Sequence, residues 1–177
     1  MIYKYIDIPN YKEIADKVYE FIKNKTDILE TTAVWNFLPK NEILEDIPEL
    51  VALFNSMGLV PLNLSIVKCR PNSQIGVHID SDNYARLLWP IHNCDGSFTR
   101  FFEVDQSNVE KRYGVKGDLY YHINNLGNAK LLESVELNKP IVFKPWIPHG
   151  VWSNPKYNEP RLSLTIKFSK SLEYMLE

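Results

Sequence analysis

The residues with the most chemistry in them are two histidines, an aspartate and an arginine. Gly76-Val77-His78-Ile79-Asp80-Ser81-Asp82 carries an imidazole and a carboxylate two positions apart. On an extended strand such positions share a face, so His78 and Asp80 point together while Ile79 turns away. His149 follows sixty-nine residues after Asp80, in Trp146-Ile147-Pro148-His149-Gly150-Val151-Trp152. Twelve residues later Arg161 opens the run Arg161-Leu162-Ser163-Leu164-Thr165-Ile166-Lys167-Phe168. Two neutral imidazoles and a carboxylate on one face of a metal leave three positions open, the arrangement suited to non-haem Fe(II) chemistry. Zinc accepts the same donors. The H-E-x-x-H helix of zinc peptidases is absent, however, and these ligands lie on predicted strands. A guanidinium pairs with a carboxylate through two parallel hydrogen bonds, and Ser163, on the same strand face as Arg161, adds a hydroxyl.

Each residue alone says little. His-x-Asp recurs by chance, a histidine after proline is commonly a surface or satisfied core residue, and a strand arginine is commonly half of a surface ion pair. The combination is sharper. Only His92 and His122 remain as other histidines, so few competing ligand sets exist.

The elements that must position these side chains are strands, preceded by helices. Tyr11 to Asn24 places Ile14, Val18, Phe21 and Ile22 at helical spacing with charges between them, an amphipathic helix lying against a sheet. Thr31 to Pro39 reads as an irregular or extended link with buried aromatics, and Glu42 to Asp46 as a short turn. A second helix starts near Pro48 and ends before Gly58. From Val60 the period becomes two: strands are expected at Val60–Val67, Ile75–Asp80, Tyr84–His92, Phe98–Val104, Leu119–Ile123, Leu131–Leu137, Ile141–Lys144 and Leu162–Phe168. Asn93-Cys94-Asp95-Gly96-Ser97 is a turn, and the polar stretch Ser107 to Gly117 a surface loop. Many short strands with no helical pattern between them predict an antiparallel sandwich or jelly roll. On the last strand Arg161, Ser163, Thr165 and Lys167 share one face and Leu162, Leu164, Ile166 and Phe168 the other. One face meets something wet or ligand-filled; the other meets core.

At 177 residues the chain fits one domain. A net charge of −2 and a pI near 6.1 make no electrostatic case for nucleic acid or an anionic membrane. The amino terminus lacks the apolar stretch of a signal peptide, and no run approaches the ~18–20 apolar residues of a membrane span. Together with Cys69 and Cys94, which form no C-x-x-C pair and read as free thiols, this predicts an intracellular, cytoplasmic protein.

The order His78-x-Asp80, distant His149, then Arg161-x-Ser163 resembles the Fe(II)- and 2-oxoglutarate-dependent dioxygenases. The resemblance covers roughly Leu62 to Phe168. It implies a mainly β protein with flanking helices: a double-stranded β-helix (cupin-like jelly roll) over residues 60–169, with residues 1–59 as a supporting helical layer. It implies Fe(II) on His78, Asp80 and His149, 2-oxoglutarate as co-substrate with its distal carboxylate on Arg161 and Ser163, and dioxygen. Arg86 and Asn93 are candidate contacts to the other carboxylate or the substrate. Trp89 and Trp152, with Phe101 and Trp146, are candidate pocket walls.

The branch is less defined. Prolyl hydroxylases typically carry lysine where this chain has Arg161. Aspartyl/asparaginyl β-hydroxylase-like proteins share the compact layout, though some lack the metal carboxylate. The nucleic-acid dealkylases carry Arg-x-Asn-x-Thr-x-Arg, from which Ser163 and Lys167 depart, and the acidic pI weighs against them. The expected activity is hydroxylation of an amino-acid, peptide or protein side chain, so the expected partner is a small-molecule or peptidyl substrate. The competing expectation is a non-catalytic cupin-type module that binds a metal or another ligand.

Overall fold

In the computed structural model all 177 residues are described, except for the side chain of Gln106. The chain opens with strand β1 (Tyr3–Tyr5), helix α1 (Tyr11–Lys25), strand β2 (Trp35–Phe37) and helices α2 (Lys40–Asp46) and α3 (Pro48–Ser56). Ten strands follow: β3 (Pro61–Cys69), β4 (Gln74–Asp80), β5 (Arg86–His92), β6 (Phe98–Glu103), β7 (Val109–Tyr113), β8 (Leu119–Ile123), β9 (Lys130–Glu136), β10 (Ile141–Phe143), β11 (His149–Trp152) and β12 (Arg161–Phe168). They build two six-stranded antiparallel sheets, ordered β1-β10-β5-β12-β3-β2 and β7-β8-β4-β11-β6-β9. Neither sheet closes on itself. The arrangement is jelly-roll and cupin-like, with the helices gathered on one face of the first sheet.

That helical layer exists because the outer face of the first sheet is continuously apolar. Leu162, Leu164, Ile166 and Phe168 of β12 join Leu64 and Ile66 of β3 and Leu87, Trp89 and Ile91 of β5. Ile14, Val18, Phe21 and Ile22 of α1, Ile43 of α2, and Leu50 and Phe54 of α3 cover them. Each such side chain contributes about 1.5–3 kcal/mol on burial, which holds β12 rigid from behind.

The space between the sheets is divided. Towards β1 and β9 it is dry, filled by Leu88, Phe101, Val135, Leu137, Ile141 and Phe143. Towards β2 and β7 it is polar, and here the inner faces of β3, β4, β5, β11 and β12 turn their functional side chains inward.

Four local expectations are corrected. Thr31–Pro39 is extended at β2, but its aromatics are not buried: Phe37 is 54% exposed and Trp35 half-buried, while Ala33 and Leu38 take the core positions. Glu42–Asp46 belongs to helix α2. Ser107–Gly117 contains edge strand β7, whose charges at Glu110, Lys111 and Arg112 are what a free sheet edge carries to resist further pairing. Tyr3–Tyr5 is an unexpected strand, and His149–Trp152, expected to carry its ligand on a strand but given no span, is one; both are too short to show alternation.

Candidate metal centre

His78 and Asp80 lie on β4 as the period of two requires, and β11 brings His149 directly opposite His78. Between His149 and Val151 the β11–β4 register shifts by a bulge, a device that re-aims a strand. Gly150 sits in that bulge; an added Cβ would stand 2.9 Å from the Ile75 carbonyl oxygen, too close for any side chain. The backbone there must pack this tightly to set His149 beside His78.

One ligand atom from each of His78, Asp80 and His149 lies within 4.8 Å of the others. The imidazole rings are 4.5 Å apart, and His78 Nε2 is 3.5 Å from Asp80 Oδ1. Both histidines turn Nδ1 to a backbone carbonyl two residues earlier, His78 to Gly76 and His149 to Ile147, each at 2.8 Å. Those bonds place the proton on Nδ1 and leave Nε2 with its lone pair towards the cluster. Burial pushes His149 down to about 4, with the neighbouring His78 adding to the effect, so the ring is neutral at neutral pH. These side chains form a 2-His-1-carboxylate metal site of the kind that suits Fe(II).

Asp80 is held from the other side. Arg86 Nη1 sits 3.2 Å from Asp80 Oδ2, leaving Oδ1 towards the histidines. Arg86 Nη2 donates to Asp82 Oδ1 at 2.8 Å, and Lys167 Nζ donates to Asp82 Oδ2 at 2.7 Å. Burial alone would raise the Asp82 carboxyl; the bonds from Lys167 and Arg86 outweigh it and hold it below its ordinary value. Arg86 thus meets two acidic partners while it also lines the larger pocket.

Two spaces share His78 and Asp80 in their walls. The inner one, about 50 Å³, is lined by His78, Asp80, His149, Arg161, Ser163 and Thr165 among others. The outer one, about 580 Å³, opens between β2 and the β7–β8 arm and includes Trp35, Phe37, Arg112, Tyr113, Tyr120 and His122. His122 is directly opposite His78 on β8, and burial, with Arg112 and His78 nearby, lowers its pKa.

Arg161 lies at the inner end, 1% exposed. Its Nη1 donates to Ser163 Oγ at 3.2 Å, while Nε and Nη2 have no partner among the described residues. The hydroxyls of Thr165 and Thr99, which line the same cavity, are likewise unpartnered.

The remaining candidates stand elsewhere, for reasons of strand parity. Arg86, Leu88 and Pro90 face inward on β5, so Trp89 faces α1, where its Nε1 donates to the Tyr11 carbonyl at 3.1 Å. His149 and Val151 face inward on β11, so Trp152 lies on the outer face, against Phe102 and under Arg100. Asn93 follows the end of β5 in a left-handed conformation and reaches the carbonyls of Glu159 and Pro160. None of the three lines either space. Trp35 does, on both, and its ring lies under the Arg86 guanidinium at 5.7 Å; nothing in its local pattern marked it. Thr99 had no signal either.

No family model matches the chain, and no curated protein matches it. Its fold is similar to that of the non-haem monooxygenase ThoJ in its apo form, with TM-score 0.50 and 13% identity over 94% of this chain and 71% of that one. Weaker likenesses are to a Pseudomonas putida prolyl-4-hydroxylase (TM-score 0.46, 16% identity, 95% and 86% covered) and a Bacillus subtilis oxalate decarboxylase (0.37, 11%, 84% and 32%). At these identities the likeness speaks for the fold alone. Fold and site together define the class: a cupin-like protein with a His78, Asp80, His149 facial triad. Among the described residues, no helix is long and apolar enough to cross a membrane.

Proposed function

We propose that this chain is an Fe(II)- and 2-oxoglutarate-dependent oxygenase that hydroxylates an amino-acid, peptide or protein side chain. The observation that carries this reading is Arg161. A guanidinium 1% exposed, with two unpaired nitrogens, leaves its desolvation uncompensated unless an anion meets it. It lines the same small cavity as the metal ligands, where a 2-oxo acid chelating the metal would direct its far carboxylate. Ser163 and Thr165 stand beside it to complete the hydrogen bonding.

The residues divide the work. His78 and His149 present neutral Nε2 atoms, and Asp80 presents Oδ1 while Arg86 restrains Oδ2. Arg161 and Ser163 orient the co-substrate, and Leu88, Phe143 and Val151 keep water from the inner cavity. Iron bound there with 2-oxoglutarate supplies the oxygen activation. Overall, dioxygen and 2-oxoglutarate are consumed, and succinate, carbon dioxide and a hydroxylated side chain are released. The double-stranded β-helix of residues 60–169 carries the metal ligands, residues 1–59 support it and add Trp35 of β2 to the cavity wall, and the chain acts as one domain. The buried free thiols of Cys69 and Cys94 fit a reducing, cytoplasmic setting.

Anaerobic addition of Fe(II) and then 2-oxoglutarate should produce a metal-to-ligand charge-transfer band, lost in Asp80→Ala. Protein that binds Fe(II) but develops no band with 2-oxoglutarate is instead the non-catalytic metal-binding module.

A further inference from the structure

The two sheets have four edges, β1, β2, β7 and β9. Only β2 and β7 border the outer pocket. They differ in chemistry. The β7 edge carries Glu110, Lys111 and Arg112 and resists added strands. Trp35-Asn36-Phe37 carries no charge at all.

The β2 edge is also open in its backbone. Lys68 N–H donates to the Val34 carbonyl at 2.7 Å, and Leu38 N–H donates to the Leu64 carbonyl at 2.9 Å. Even-numbered residues therefore bond inward to β3. By antiparallel alternation, the N–H and C=O groups of Trp35 and Phe37 point to the free side. The edge is held firmly: Lys68 Nζ donates to the carbonyls of Ile28, Leu29 and Thr31 in the approach to β2. Asn36 Nδ2 donates to the Ala33 carbonyl at 2.9 Å.

Parity then makes a specific statement. Trp35 and Phe37 lie opposite Val67 and Ser65 on the inner face of the first sheet, and Trp35 lines the triad cavity itself. A residue paired with Trp35 on an added strand would share that face and direct its side chain towards the metal. Its immediate neighbours would turn away.

Resting on the oxygenase reading, we propose that the substrate is an extended polypeptide segment that adds as a strand to β2, with the oxidised side chain opposite Trp35. The backbone contributes affinity, as in other strand-addition complexes. Exposed Val34 and Phe37 on one lip, with Tyr113 and Val115 on the other, offer apolar contacts to the segment's remaining side chains.

The test uses the full chain and a pool of end-blocked random decapeptides, with N-acetyl amino-acid amides and a random oligonucleotide as alternatives. The peptides should gain oxygen in the presence of Fe(II) and 2-oxoglutarate, and the alternatives should not. In the metal-free protein the pool should slow hydrogen exchange at the Trp35 and Phe37 amides and leave Asn36, already bonded to β3, unchanged. Phe37→Pro removes one outward N–H while sparing the bonds to β3, and should lower peptide turnover by about five- to tenfold, the value of one backbone hydrogen bond. Phe37→Ala, which keeps the N–H, should lower it less. For one selected peptide, methylating the backbone nitrogen that meets Trp35 should cost a similar factor on the unaltered protein, whatever the fate of the proline variant. Oxidation of amino-acid amides or oligonucleotide in place of peptide, or peptide oxidation with no protection at Trp35 and Phe37, overturns the proposal. The charge-transfer band is recorded without peptide, so its absence counts against the oxygenase reading separately.

Discussion

Arg86 and Arg161 are both buried on the inner face of the same sheet, on adjacent strands, yet their surroundings are opposite. Arg86 is enclosed by Asp80 and Asp82, and Asp82 is shared with Lys167. Arg161 has a serine hydroxyl and no anion among the described residues. A buried cation with its charge answered is a piece of scaffold, here one that restrains a metal ligand. A buried cation left unanswered is, on the proposed reading, where the co-substrate's carboxylate would bind. The contrast would separate, on that reading, a positioning end of the cavity from a recognition end.

The largest expected effect comes from removing the unanswered charge. Arg161→Ala should weaken 2-oxoglutarate binding by roughly 2–5 kcal/mol, the range for truncating one partner of a buried charge pair, with Fe(II) binding retained. Anaerobic titration reads both quantities. Co-substrate affinity equal to the parent's would make Arg161 structural and remove the contrast.

Next is the answered arginine. Arg86→Met should lower Fe(II) affinity by about 10–100-fold, the usual consequence of losing the group that orients a ligand. Competition with a chelator measures it. Unchanged affinity would mean that strand geometry alone orients Asp80.

The smallest effect sharpens the comparison most. In ligand-free protein, Arg161→Met should be neutral or stabilising by about 1 kcal/mol, because exchanging an unpaired buried cation for an apolar side chain relieves its desolvation. Arg86→Met should destabilise, since it leaves Asp80 partly buried without its cation. Thermal unfolding of the two variants side by side decides it. A marked loss for Arg161→Met would show that its charge is compensated by the fold.

Much of the site was legible because strand alternation is local. His78-x-Asp80 shares a face whatever the topology, and so does Arg161-x-Ser163-x-Thr165. The same rule, applied to β5 and β11, would have turned Trp89 and Trp152 away from the cavity once Arg86 and His149 were taken as inward. Aromatic character alone was too weak a reason to place them there. The β7 edge was read as a loop because its charges resemble those of a loop; exposed edges and loops meet the same solvent.

What the sequence determined by itself was therefore the face each side chain takes on its own strand, the amphipathic α1, and the order of the ligands along the chain. Only the tertiary structure decided that His149 lies opposite His78, that Arg86 closes on Asp80, and that Thr99 and Trp35 join the site. It also decided that β2 is an edge. The face of a residue follows from backbone pleating between adjacent residues, a short-range property written in every tripeptide. Which strands become neighbours depends on burying the best apolar faces over the whole chain, and no local pattern contains that.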